Sequence, residues 1–132
     1  MAEYAGCVST GSFNDGSYLR LGFDGIVGGY FLSFSNASLI SYPIRGASKL
    51  LVSFDRRYTF SIIFHSIRRS GLPTLEVGEL SNELVELFAS SSIISFSDEG
   101  RLISEFQLRG SRAALRNLQE CERVAFNQGR GR

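Results

Sequence analysis

Strand-length runs of alternating apolar and polar residues follow one another along most of this chain. YLRLGF at 18–23, GYFLSFSN at 29–36 and KLLVSFD at 49–55 are the first three, and TLEVGEL at 74–80 is a further strand candidate. Such alternation is typical of strands with one buried face. YTFSIIFHSI at 58–67 is at least partly apolar on both faces, which indicates a central strand.

Turn signals separate these runs. Asp24-Gly25 is a strong turn dipeptide, and Arg56-Arg57 forms a tight basic turn between two strands. Asp98-Glu99-Gly100 predicts a hairpin with glycine at a left-handed position, followed by a strand whose Leu102, Phe106 and Leu108 face the core. Pro43 predicts a loop or an edge strand.

Two segments have helical periodicity instead. SNELVELFASSS at 81–92 predicts a helix of about two turns with Ser81 as its N-cap. After Gly110, Ser111 is the expected cap of a second helix, whose packing face holds residues at helical spacing. These residues are Ala114, Leu118, Cys121 and Ala125.

A chain of 132 residues fits one domain. We expect residues 1–126 to form it, with 1–17 as an extended arm and 127–132 as a disordered tail. The expected fold is mainly antiparallel β, a sandwich or strongly curved sheet, with one short helix and a C-terminal helix packed on it.

Composition argues against two classes of partner. The formal net charge of +1 gives no field to attract nucleic acid or an anionic membrane, and no apolar run reaches the roughly 18 residues of a membrane span. The first 17 residues lack the basic and apolar regions of a signal peptide. A chain trimmed of its leader, or a piece of a longer protein, would look the same.

The sequence offers no catalytic or metal-binding signature. His65 is the only histidine and lies within an apolar strand, sharing a face with Ser61 and Thr59 but without a G-x-S-x-G elbow. One histidine and two distant cysteines do not supply a tetrahedral metal site. We therefore expect a structural histidine or one at the rim of the sheet, no enzyme activity, no metal and no cofactor.

Two arginine pairs are the candidate binding residues. Arg56 and Arg57 precede the 58–67 strand, and Arg68 and Arg69 follow it. At about 3.3 Å per residue the pairs lie about 30 Å apart, at opposite ends of the sheet. They form one patch only if neighbouring loops converge, and solvated turn arginines are the simpler interpretation.

The two cysteines allow two interpretations. As free thiols, Cys121 is a small buried group on a helix face and Cys7 is incidental. As a disulfide, they tie the N-terminal arm to the last helix and close a loop of more than a hundred residues, which stabilises a fold by roughly 4–5 kcal/mol at most. A disulfide implies an oxidising compartment.

Residues 80–121 resemble the end of small periplasmic domains of the invasion-associated locus B type and related exported proteins of alphaproteobacteria. In those domains a final strand of the form F-x-L-x-G-S leads into an Ala/Leu-rich helix closed by cysteine, and GGYFLSFSN resembles their early strand. The matching residues here are Phe106, Leu108, Gly110, Ser111, Ala114, Leu115 and Cys121. The resemblance implies an exported, β-sandwich-like accessory or binding protein rather than an enzyme.

The favoured function is therefore a non-catalytic exported module that binds another protein or an envelope component. Its location would be periplasmic or secreted if a leader was trimmed, and cytoplasmic, with free thiols, otherwise. One alternative is an inhibitor or immunity protein that blocks a hydrolase through a protruding loop at 68–73 or 42–48. Another is a small hydrolase with a carboxylate pair drawn from Asp24, Asp55, Glu76, Glu79, Glu83 or Glu86.

Overall fold

The computed structural model of the protein describes residues 6–12, 16–24, 29–41, 46–69 and 71–130. Within these ranges the chain forms one eight-stranded antiparallel sheet and two α-helices, which confirms the predicted fold class. The elements are β1 (Gly6–Ser12), β2 (Tyr18–Asp24), β3 (Gly29–Ser35), a 3-10 helix (Ala37–Ser41), β4 (Ala47–Phe54), β5 (Tyr58–Arg69), β6 (Leu72–Val77), α1 (Asn82–Ser90), β7 (Ile93–Asp98), β8 (Arg101–Gln107) and α2 (Ser111–Arg130).

The strand order is β1-β2-β3-β6-β5-β4-β7-β8. Two three-stranded meanders, β1–β3 and β4–β6, join through the pairing of β3 with β6, and the β7–β8 hairpin extends the sheet beyond β4. β5 pairs with β4 on one side and β6 on the other. The prediction of a central strand at 58–67 is therefore confirmed.

The sheet is strongly curled. Four strand spacings separate β3 from β7, which would be about 19 Å in a flat sheet. Yet the rings of Phe34 on β3 and Phe96 on β7 stack with centroids 3.9 Å apart. Phe34 also contacts Phe106 on β8, with a centroid distance of 6.2 Å. Because these rings meet, the two halves of the sheet must face each other across the core.

Four phenylalanines form the centre of this core. Phe64 meets both stacked rings edge-on at 5.9 and 5.8 Å, and Phe106 meets Phe96 edge-on at 6.1 Å. Offset-stacked and edge-to-face geometries are the ones aromatic rings prefer. Aliphatic side chains from the concave faces of the strands complete the core, among them Leu21, Leu32, Leu50, Val52, Leu75 and Ile94.

One prediction of which side chains face the core was wrong. Leu102 was expected in the core, but it is 57% exposed, whereas Ile103 packs partly against the core. The register between β7 and β8 shifts at Phe96/Ser97, since Phe96 pairs with Ser104 and Ser97 with Leu102. This β-bulge inserts Ile103 as an extra residue and reverses the alternation before it. Phe106 and Leu108, beyond the bulge, are buried as predicted.

The ends of the helices follow the predictions in part. Ser81 caps α1, with its hydroxyl accepting from the Leu84 N–H at 3.2 Å. Gly110 has a φ of +81°, which favours glycine, where the chain leaves β8 for α2. Ser111 is the first residue of α2, but its hydroxyl donates to the Ala89 carbonyl of α1 at 3.5 Å rather than capping its own helix.

The termini differ from expectation. Residues 1–17 were expected to be an arm, but Gly6–Ser12 pairs with β2 along its whole length and forms an edge of the sheet. The tail was expected from residue 127, but α2 continues to Arg130. The polar, glycine-rich composition that suggested an arm is compatible with an edge strand, because over the described residues β1 pairs on one side alone. Pro43 lies outside the described residues.

α2 packs against α1, β1 and β2. Its most buried side chains are Leu115 and Leu118, and Ala114 is half-buried. Cys121 was expected on this packing face but is exposed; it lies at disulfide-bonding distance from the buried Cys7, with a Cα–Cα distance of 6.2 Å. The polar side of α2 is exposed at five described residues: Arg112, Arg116, Asn117, Glu120 and Arg123.

The aromatic core predicts a large effect of Phe96→Ala. Phe96 has no exposed surface and contacts three other rings, so we expect the free energy of unfolding to fall by about 3–5 kcal/mol. Ile63→Ala, at a position that is 56% exposed on the convex face, is the control and should change it by less than about 1 kcal/mol. Urea denaturation measures both, and equal losses would contradict this account of the core.

The cysteine geometry predicts a stabilising disulfide. The bond would close a loop between residues 114 positions apart, so the double variant Cys7→Ser/Cys121→Ser should lose about 2–5 kcal/mol. Protein purified without reductant should show no alkylatable thiol by intact mass. Wild-type protein in reductant should match the variant in thermal denaturation; two free thiols, or an unchanged midpoint, would exclude the bond.

Candidate functional site

The first predicted arginine pair makes contacts at the β4–β5 turn. Arg56 Nη2 donates to both carboxylate oxygens of Glu105 at 3.0 and 3.1 Å. The guanidinium of Arg57 lies 5.4 Å from the ring centroid of Tyr58, within cation–π distance. The hydroxyl of Ser95 also donates to Glu105, at 2.8 Å. The Ser95 hydrogen bond, followed by that of Arg56, lowers the pKa of Glu105 below its usual value.

The second pair lies at the far end of β5. Arg68 and Arg69 are in the last two positions of that strand, eleven or more residues from Arg57, which is about 35 Å along the chain. Arg68 is exposed, and the side chain of Arg69 is outside the described part of the structure. The two pairs are therefore not brought together into one binding surface.

His65 lies on the convex face of β5 and is exposed. Its register neighbours are Ala47 on β4 and Glu76 on β6. Ser61 and Thr59 share the face, as predicted, but Ser61 is four residues away, about 13 Å along the strand. That separation is far beyond the hydrogen-bond distance that a nucleophile and its base require.

None of the carboxylate candidates is among the described residues that line two pockets of the structure. Asp55 accepts the backbone N–H groups of Ser92 and Ile93 at 2.8 and 3.0 Å, which fixes the entry to β7. The side chain of Asp24 is outside the described residues. Among those described, no three His, Cys, Asp or Glu side chains are grouped so as to hold a metal ion.

The loops proposed for an inhibitor do not provide a protruding element where they are described. β5 runs to Arg69 and β6 begins at Leu72, so the described part of 68–73 is mostly strand. Residues 42–45 of the other loop lie outside the described ranges.

A cleft of about 160 Å³ lies where the two ends of the curled sheet approach each other. Thr10 and Gly11 of β1 line one side, and Gln107 and Leu108 at the end of β8 line the other. The cleft exists because β1 and β8 are the outer strands of the sheet and, over the described residues, do not pair with each other. We refer to it as the edge cleft.

The floor of the edge cleft is apolar. Leu19 and Leu21 rise from β2, and Phe88 comes from α1. Ser111 and Ala114 in the first turn of α2 close its end. A concave apolar surface bordered by a few polar groups is the usual form of a binding site.

One charged residue lies at the rim of the edge cleft, counting the lining residues that the structure describes. This is Arg109, which is exposed and forms no ion pair with any described residue. None of the described residues that line the cleft is a carboxylate. The cleft can accept an apolar group with a negative charge beside it.

α2, which closes the edge cleft, is anchored near its middle by Tyr30. The Tyr30 hydroxyl donates to Glu122 Oε2 at 3.2 Å. Burial, followed by the negative charge of Glu122, raises the pKa of Tyr30 above its usual value. Together with the adjacent cysteine pair, this contact fixes α2 along β1.

Comparison with known proteins gives no match for this chain among protein-family models, curated proteins or solved structures. Of the helices in the described part of the chain, none has both the length and the apolar character needed to cross a bilayer.

Sequence reasoning missed the residues of the edge cleft, because they come from β1, β2, α1, β8 and α2. Thr10 and Gly11 lay in a segment interpreted as an arm, and Leu19 and Phe88 lay in segments predicted as a strand and a helix. The one residue that could have pointed to the cleft is Arg109. It precedes the left-handed Gly110, and the first turn of α2 holds no acidic residue to pair with it.

The Tyr30–Glu122 contact predicts an alkaline transition. A tyrosine whose pKa is raised in the folded state stabilises the fold below its unfolded pKa of about 10. That contribution is lost as the pH rises through the folded pKa. Absorbance titration should show a component absent from Tyr30→Phe, and Glu122→Gln should lower its midpoint. Glu120→Gln on the same helix is the control, and an unshifted midpoint in Glu122→Gln would contradict the contact.

Proposed function

We propose that this protein is a non-catalytic exported module that binds another protein, with the edge cleft as its binding site. The observation that carries the proposal is the apolar floor of Leu19, Leu21 and Phe88 beside the exposed guanidinium of Arg109, which forms no ion pair with any described residue. In sites of this kind the apolar lining supplies most of the contact surface, and a few polar groups fix the orientation of the ligand.

The volume of the cleft sets the size of the group it takes. An apolar cavity of about 150 Å³ in another protein holds benzene, so a cleft of about 160 Å³ suits one aromatic or branched aliphatic side chain. Burying one such side chain contributes about 1.5–3 kcal/mol. The expected complex is therefore weak and transient unless further contacts are made.

Location in the periplasm or outside the cell is part of the proposal. Cys7 and Cys121 at bonding distance support it, because structural disulfides form and persist in oxidising compartments. The resemblance of residues 80–121 to small exported domains of the invasion-associated locus B type is in keeping with this location and with an accessory binding role.

Selection from a random heptapeptide library displayed on phage tests the proposal. Ala114→Leu places a larger side chain into the edge cleft, and Ala113→Leu, on the exposed side of the same turn, is the matched control. Peptides selected on the wild-type chain should contain one large apolar residue with acidic neighbours. Their affinity should fall at least tenfold for Ala114→Leu and stay within about twofold for Ala113→Leu.

Circular dichroism first establishes that both variants are folded. Failure of the library to enrich any sequence would contradict the proposed function. Selected peptides that bind Ala114→Leu as tightly as wild type would place the binding surface elsewhere.

A further inference from the structure

The two outer strands of the sheet differ in how they are protected against pairing. β8 has the devices that keep an edge from adding another strand. It contains the β-bulge at Ile103, its Arg101 and Glu105 are charged and exposed, and the side chain of Asn36 donates to the Ile103 carbonyl at 2.8 Å.

Over the described residues, β1 has none of these three devices, although α2 packs against it. Its sequence, GCVSTGS, contains no charged residue and no proline. Its register with β2 is unbroken from Gly6 to Ser12, so it has no bulge. Over the described residues, β1 pairs with β2 alone. Its other side therefore offers a row of backbone donors and acceptors to a further strand.

The unprotected edge and the edge cleft coincide. Thr10 and Gly11 belong to β1 and also line the cleft. A strand laid beside β1 would direct every second side chain toward the same side of the sheet as the cleft. Backbone pairing would then supply affinity, and the cleft would select one side chain, which is the general mode of strand addition.

We infer that an extended peptide segment of a partner protein pairs with β1 as a ninth strand and inserts one apolar side chain into the edge cleft. This inference rests on the proposed function and adds how the partner is held. Arg109 at the rim favours an acidic residue close to the inserted side chain. Arg112, one turn away, has Glu86 at 3.9 Å and so contributes less.

A second copy of this chain fits the site less well than a foreign peptide. The largest apolar residue of β1 is Val8, which is exposed on the face opposite the buried Cys7. A second β1 would therefore have no large apolar side chain to place over Leu19 and Phe88. The peptide needs such a residue, and β1 does not supply it.

Backbone N-methylation of the most enriched heptapeptide tests strand addition. In a paired strand, the N–H groups of alternate residues point to the neighbouring strand. Two peptides with identical side chains are compared, one methylated at odd positions and one at even positions. One of the two methylated peptides should bind at least tenfold more weakly than the unmethylated peptide. The other should bind within about threefold of it. Amide exchange in β1 should slow when the unmethylated peptide binds.

Arg109→Gln tests the charge at the rim. We expect its affinity for the acidic peptide to fall about threefold to tenfold and to depend less on salt. Arg116→Gln, exposed on α2 and not among the residues lining the cleft, is the matched control and should bind like wild type.

The possible results distinguish failure of the proposed binding function from failure of strand addition to β1. If no peptide is enriched, the proposed function fails. If peptides bind and Ala114→Leu lowers their affinity, but methylation at neither odd nor even positions does, the cleft remains a binding site and strand addition is overturned. If sedimentation shows a dimer whose β1 amides are protected without peptide, a second copy is the occupant and the inference is wrong.

Discussion

The stacking of Phe34 on Phe96 is the contact on which the architecture depends. It joins strands that are third and seventh in the sheet, so it exists only if the sheet curls through the full thickness of a core. Phe64 and Phe106 hold the same two rings edge-on. Curling buries the concave face without a second sheet. Eight strands are enough for one half of the sheet to pack against the other half.

A sheet that curls without closing leaves a seam between its outer strands. α2 lies along this seam, with Leu115 and Leu118 buried beneath it. The Cys7–Cys121 pair and the Tyr30–Glu122 hydrogen bond hold it near its middle. At its N-terminal end, α2 begins at Ser111, next to the edge cleft. The contacts at the middle of α2 therefore also position the first turn of the helix, which closes one end of the cleft.

The local elements could be predicted because their signals are local. Alternation located β2–β5, the left-handed turn at Gly100 located the last hairpin, and Ser81 located α1. The pairing of β3 with β6 could not be predicted, since it joins strands more than forty residues apart and has no sequence signature. Leu102 was misplaced because a bulge has no reliable pattern. The cleft was missed because five separate elements form it.

The composition of the edge strands carries information that hydrophobic alternation does not. A row of unpaired backbone groups is a liability, and an edge such as β8, with its charges, bulge and Asn36 contact, has little tendency to recruit another strand. The neutral sequence of β1 lacks that protection over the same length of strand. Where an unprotected edge also borders an apolar cleft, the liability becomes a means of recognition: backbone pairing alone accepts many strands, and the cleft restricts the choice to those with the right side chain.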